Sequence, residues 1–196
     1  MDGTQLPSLR TAIPGPLSIA SMDKIARMEC PALTARRARR RDESGADQDP
    51  MVWEEAIGAN VRDLDGNVYV DLTSAFGVAS LGHRHPDVVA AGHAQLDRLI
   101  HGMGDVYPSQ AKVDLYERLI QQTPEPLDHA MLGANGSDAV EAALKTAVMH
   151  TGKPGVLSFT DSYHGLSYGA LGATHYKASF RDPFLSQLNG LSLIHI

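Results

Sequence analysis

The residues best suited to chemistry lie in two short segments. Asn135-Gly136-Ser137 opens a stretch with helical apolar spacing, and Tyr163-His164-Gly165 follows the apolar run Gly155–Thr160. Gly133 and Gly136 permit a tight turn and a close backbone approach. Ser137 sets a hydroxyl beside main-chain N–H groups that a helix start leaves without partners. An anion, most often a phosphate, suits such a place. Tyr163 can lay its ring on a flat aromatic ligand by offset stacking. Together the two segments suggest a phosphorylated aromatic cofactor. Each also has a plainer account: a Gly-Ser helix start serves as an ordinary N-cap, with Asn135 an equal candidate for the cap, and a tyrosine after a strand serves packing.

Other chemistries have weaker footing. His83 and His85 flank Arg84, yet no Cys, Asp or Glu stands at a recognisable ligand spacing, so loop histidines that cap the helix at Pro86 or bond the backbone are the expectation, and no metal. His93, His101, His129, His150 and His175 share no spacing. The glycine patterns of P-loop and dinucleotide-binding proteins are absent, as is the Gly-x-Ser-x-Gly elbow of serine hydrolases.

The elements that must position these residues can be read from periodicity. A short strand from Asp128 is expected to lead through the Gly133–Gly136 turn into a helix. Val140, Ala143, Leu144, Ala147 and Val148 mark its face, Glu141 stands four residues before Lys145, and Gly152 and Pro154 stop it. Gly155–Thr160 reads as a buried strand, so strands and helices alternate here as in a parallel α/β sheet. Upstream, 52–57, 60–64 and 68–72 read as strands, the last two joined by the hairpin signal Asp65-Gly66. Pro86 opens a helix whose buried face is expected to be Val88, Val89, Leu96, Leu99 and Ile100. Ser109 should cap another, with Val113, Tyr116, Leu119 and Ile120 inward. The expected division is a polar amino-terminal arm over 1–50 with a short helix near Met22–Met28, a hairpin-plus-helix segment over 51–105, and the start of a larger domain over 106–196.

Composition excludes several classes. With 43% apolar and 20% charged residues, the 196-residue chain is an ordinary globular protein. Its net charge of −6 argues against nucleic acid, because the arginine-rich run 35–41 is followed directly by Asp42, Glu43, Asp47 and Asp49. No apolar run is long enough to span a bilayer and the amino terminus lacks an apolar signal core. Cys30 is the single cysteine, which excludes an internal disulfide and fits a cytoplasmic setting.

Over about residues 52–187 the chain resembles the class III aminotransferases, pyridoxal-phosphate enzymes of fold type I. The resemblance is carried in order by Asp65-Gly66-Asn67-Val68-Tyr69-Val70-Asp71-Leu72, Leu81–Pro86, Asn135–Lys145 and Ser162–Gly165. It implies an α/β fold: a three-layer large domain whose mixed or parallel sheet is begun but incomplete here, preceded by a small-domain β-hairpin segment. It implies pyridoxal 5'-phosphate as cofactor, with Gly136 and Ser137 on the phosphate and Tyr163 stacked on the pyridine ring. The substrates would be an amino donor and a keto-acid acceptor, the full-length form a homodimer, and Phe76 would line the substrate entrance, with core packing the alternative for that side chain.

Where many members have an arginine after His-Gly, able to clamp a distal carboxylate, this chain has Leu166; Arg84 and Arg181 are other cations without a sequence-defined place. Family members are considerably longer. None of Lys24, Lys112, Lys145, Lys153 and Lys177 has the context of the lysine that carries the cofactor, and 191–196 departs from the family pattern. The expectation is therefore an amino-terminal fragment of a transaminase, inactive by itself. The alternatives are a non-catalytic subunit or binding piece, and another phosphate-binding α/β enzyme.

Overall fold

Asp65-Gly66 turns the chain because glycine takes a positive φ, here 81°, without steric cost. The flanking segments then pair antiparallel. In the computed structural model, which describes residues 1–45, 51–188 and 193–195, β1 (Trp53–Ile57), β2 (Asn60–Asp63) and β3 (Val68–Val70) form a three-stranded sheet in sequence order. Val61 pairs with Ala56 on one side and Tyr69 on the other, and is buried.

Three polar side chains of the hairpin are enclosed. Asp63 accepts from the main chain of Asp65 and Asn67, from the Asn67 amide and from the Tyr69 hydroxyl. Burial and the Asp63 carboxylate push the Tyr69 phenol up to about 12. Asn60 and Asn67, each at most 1% exposed, use their amides to hold Gln5, Arg10 and Thr11. Ser8 adds a main-chain bridge to Val68. The polar amino-terminal arm is thus sewn to the hairpin by hydrogen bonds that apolar periodicity does not announce.

Two helices follow within the arm. In α1 (Pro16–Met28) the Asp65 carboxylate accepts from the main chain of Leu17 and Ser18, supplying from the hairpin the cap that Gly15 lacks. The arginine run lies on α2 (Pro31–Ser44), where Arg37 pairs with Glu29. Arginine and alanine are good helix formers, so local propensity accounts for this helix. Asp47 and Asp49, expected to offset the run, lie outside the described residues.

The helix expected at Pro86 is α3 (Pro86–Arg98), with proline in its first turn. Its apolar side chains are not buried, however: Val88, Leu96 and Ile100 are 56%, 58% and 82% exposed. Periodicity marks the face a helix will bury and says nothing about whether the covering element is present. Helix α4 (Gln110–Ile120) is capped by Ser109, whose Oγ accepts from Lys112 N.

Helix α5 (Gly136–Thr151) ends at Gly152 in the left-handed region, and β4 (Val156–Ser158) follows. Strand β4 pairs parallel with β5 (Leu193–His195), and between them lie α6 (Tyr168–Ala173), α7 (Ala178–Arg181) and a 3-10 turn over Asp182–Gln187. The parallel pair and its crossover are the α/β arrangement expected. The strand expected from Asp128 is not one, since that segment has no pairing partner among the described residues. The chain divides into two compact units, Met1–Gly102 and Met103–Ile196.

Candidate active site

The second unit contains an open cleft of about 970 Å3, walled by the start of α5 and by the loop after β4. Gly136, Ser137 and Tyr163 all line it, joined by Asn135, Glu141, His164, Gly165, Leu166 and Ser167.

Asn135 is the cap of α5. Its Oδ1 accepts from Asp138 N at 3.0 Å, and Asp138 Oδ2 accepts from Ala134 N at 2.9 Å. Asp138 N–H is therefore used, while the N–H groups of Gly136 and Ser137 have no partner among the described residues. These are the orphan donors that a helix start presents, reinforced by the positive end of the helix dipole. A Cβ on Gly136 would meet nothing within 4 Å, so this glycine keeps open space over the donors. A Cβ on Gly133 would lie 3.0 Å from Ala139 N, so Gly133 is the residue fitted against the helix.

The opposite wall is held by residues that sequence reasoning missed. Thr174, fully buried, accepts from His164 N at 2.9 Å, and its hydroxyl lies within 2.9 and 3.0 Å of the Gly165 and Ala170 carbonyls. Ser158, 3% exposed, donates to the Ala173 carbonyl. No local spacing could have flagged them, because each bond spans nine to fifteen residues except the helical one to Ala170. Tyr163 is 56% exposed and contacts Tyr176 and Phe180 edge-on, with ring centroids 6.4 and 6.2 Å apart. One face of the cleft thus offers a supported aromatic ring.

The two walls touch. Ser137 Oγ accepts from Ser167 N at 3.1 Å and shares a hydrogen bond with Ser167 Oγ. One turn along α5, Glu141 Oε1 accepts from Ala170 N at 2.9 Å. The expected role of Glu141 as a surface partner of Lys145 is therefore secondary. Burial pushes its carboxyl up, but bonds from Ala170 and Gly169 main chain and the Ser167 hydroxyl, helped by the Lys145 charge, hold it below the usual range. Gly165, at φ 127°, packs so closely that a Cβ would lie 2.3 Å from Ser137 Oγ.

The remaining candidates lie elsewhere. Phe76 is 99% exposed at the end of a left-handed run over Ser74, Ala75 and Phe76, so core packing within its unit does not account for it. His83 Nε2 bonds the Asp71 carboxylate at 2.8 Å, in place of the backbone or helix cap expected. Arg84 lies 3.6 Å from Glu55, and neither it nor Arg181 lines the α5 cleft. No lysine lines the cleft.

The cleft fits a phosphorylated planar ligand: two free main-chain donors at a helix start, open space above the glycine, and an aromatic platform on the facing loop. Comparison with known proteins gives the family. The sequence profile described as aminotransferase class-III matches residues 43–196, including the carboxy-terminal stretch expected to depart from it. The acetylornithine aminotransferase of Methanosarcina mazei is 37% identical over 136 residues, 69% of this chain and 33% of that protein. The alanine/serine racemase of Pyrococcus horikoshii is 32% identical, covering 66% of this chain and 27% of that protein. The chain spans about a third of the length of the curated relatives it matches. Among solved structures, the taurine:2-oxoglutarate aminotransferase of Bifidobacterium kashiwanohense, in complex with PLP and glutamate, superposes with a TM-score of 0.65 at 29% identity, over 74% of this chain and 33% of that one. The fold, the ordered motifs and the profile converge: the chain belongs to the class-III aminotransferase family.

Proposed function

We propose that the α5 cleft binds pyridoxal 5'-phosphate, with the phosphate on the N–H groups of Gly136 and Ser137 and the pyridine ring against Tyr163, as part of a transaminase. The observation that carries this reading is the pair of unpartnered donors opening into a cleft whose facing wall presents a half-exposed tyrosine ring. When bound, the cofactor supplies an electron sink and carries the amino group between an amine and a keto acid. This chain's residues contribute binding and orientation: the helix start donates to the phosphate and partly offsets its charge, and Tyr163 sets the plane of the ring.

Titration of the chain with pyridoxal 5'-phosphate, followed by amide chemical shifts, should move Gly136 and Ser137 first, and Tyr163→Ala should weaken binding about tenfold. Shifts confined to other residues, or no binding, would overturn the reading. Since no lysine lines the cleft, the chain by itself is expected to show no amine-dependent turnover. Turnover abolished by changing one of its own five lysines would overturn that expectation.

The same lack of a lysine favours a second reading, a non-catalytic binding piece that pairs with a longer homologous chain; copurification with such a chain would support it. The acceptor and donor remain a keto acid and an amine of unspecified side chain, since Leu166 occupies the position after His164-Gly165. A homodimeric, cytoplasmic setting belongs to the same reading. Among the described residues no helix is long and apolar enough to cross a membrane. Gel filtration tests the dimer.

A further inference from the structure

We propose that Glu141 is the positioning residue of the cleft: it ties the loop that carries Tyr163 to α5 through Ser167 and Ala170, and thereby commits the Ser137 hydroxyl to the loop. Two contacts one helical turn apart make the tie. Ser137 meets the loop at Ser167, and Glu141 meets the first turn of α6 at Ala170. Both crossing points have glycine beside them. A Cβ on Gly165 would fall 2.3 Å from Ser137 Oγ, and one on Gly169 would fall 2.6 Å from Glu141 Oε2. The loop therefore lies directly on the α5 face that bears both side chains.

Glu141 accepts from the main chain of Ala170, and its carboxyl is held below the usual range by that bond and by the Ser167 hydroxyl. Ser137 Oγ and Ser167 Oγ share one hydrogen bond. Ser137 Oγ meanwhile accepts from Ser167 N. The Ser137 hydroxyl is used up inside the wall, and an anion in the cleft is held by the Gly136 and Ser137 main-chain N–H groups. Glu141 touches no ligand; it fixes where the Tyr163 ring lies relative to those donors.

The inference rests on the cofactor reading only for the identity of the ring, and its test separates the two. Amide hydrogen exchange of the ligand-free 196-residue chain should speed up at Ser167 and Ala170 by about tenfold in Glu141→Ala, with Glu141→Gln intermediate, since its amide oxygen still accepts while its charge is lost. Equal rates in all three would overturn the tie. Inorganic phosphate and pyridoxamine 5'-phosphate, which forms no imine with lysine, are then titrated into each chain. Phosphate affinity should change by less than about twofold, while pyridoxamine phosphate weakens about tenfold in Glu141→Ala and loses its induced visible-ultraviolet dichroism, with partial rescue in Glu141→Gln. Equal weakening of both probes, or of neither, would overturn the positioning role. If the unaltered chain binds neither probe, the cofactor reading fails and the exchange rates alone decide the tie. If Glu141→Ala loses its helical dichroism, the near-isosteric glutamine variant carries every comparison.

Discussion

Two glycines of the cleft respond differently to an added methyl group. At Gly165 the Cβ would stand 2.3 Å from Ser137 Oγ and 2.9 Å from Ser137 Cα, at a φ of 127° that alanine rarely adopts. Backbone has to move, so Gly165→Ala should destabilise the second unit by about 1–3 kcal/mol. At Gly136 a Cβ meets nothing, and Gly136→Ala should leave stability unchanged while crowding the anion site. Urea unfolding of both variants, with phosphate affinity measured on each, checks the contrast. A similar residue-scale argument applies to Asn67, fully buried with both ends of its amide engaged. Asn67→Ala leaves Arg10 N, Thr11 N and Asp63 without that partner and should cost about 3 kcal/mol, read as a lower urea midpoint and earlier proteolysis near residue 10. Asn67→Asp should be worse near neutral pH, because it sets a second carboxylate against Asp63.

At the scale of elements, the loop between β3 and α3 is held by one carboxylate. Asp71 Oδ2 meets His83, and Oδ1 accepts from Thr73 N, Thr73 Oγ1 and Ser74 N, which seats the left-handed residues 74–76. The His83 contact, then the Thr73 main-chain bond, bring the Asp71 carboxyl down to about 2 from an ordinary value of 3.8. A lowered carboxyl pKa means that the unfolded chain takes up the proton first on acidification. The contribution is complete above about pH 4 and is lost between about pH 4 and pH 2. Urea midpoints across that window should fall in the unaltered chain, and Asp71→Asn should remove that part of the slope. Helices α3, α4 and α5 and the Asp65-Gly66 hairpin were legible in the sequence because each is written in local spacing, a cap, a period or a turn dipeptide, whereas α2, α6 and α7 were not read, and Gly136, Ser137 and Tyr163 line one cleft. Asp71 with His83, Thr174 with His164, and Glu141 with Ala170 were not legible, because they are polar pairs ten to twenty-nine residues apart with no periodic signature.

At the scale of the whole molecule, the described residues bury few large apolar side chains. Val61, Val68, Ala170, Leu171 and Ala173 make up the buried apolar set, while Val88, Leu96 and Ile100 on or beside α3 and Leu115 on α4 stand at 56%, 58%, 82% and 48% exposed. The sequence reading expected α3 to bury this face, and its amphipathic pattern is present, but among the described residues these side chains stay exposed. Isolated apolar residues on a surface are unremarkable, but a helix-length apolar stripe marks a face that binds something or aggregates. Since the chain spans about a third of its curated relatives, the rest of such a protein is one candidate to cover it. The purified 196-residue chain should therefore bind the dye ANS in buffer, associate with rising concentration in light scattering, and melt over a broad range. Replacing Leu96 and Ile100 by Gln should raise solubility without lowering helix content, because both side chains leave little buried area on substitution. A sharp cooperative melt with no dye binding would show instead that this stripe is covered in solution, and the covering surface would then have to come from the chain itself.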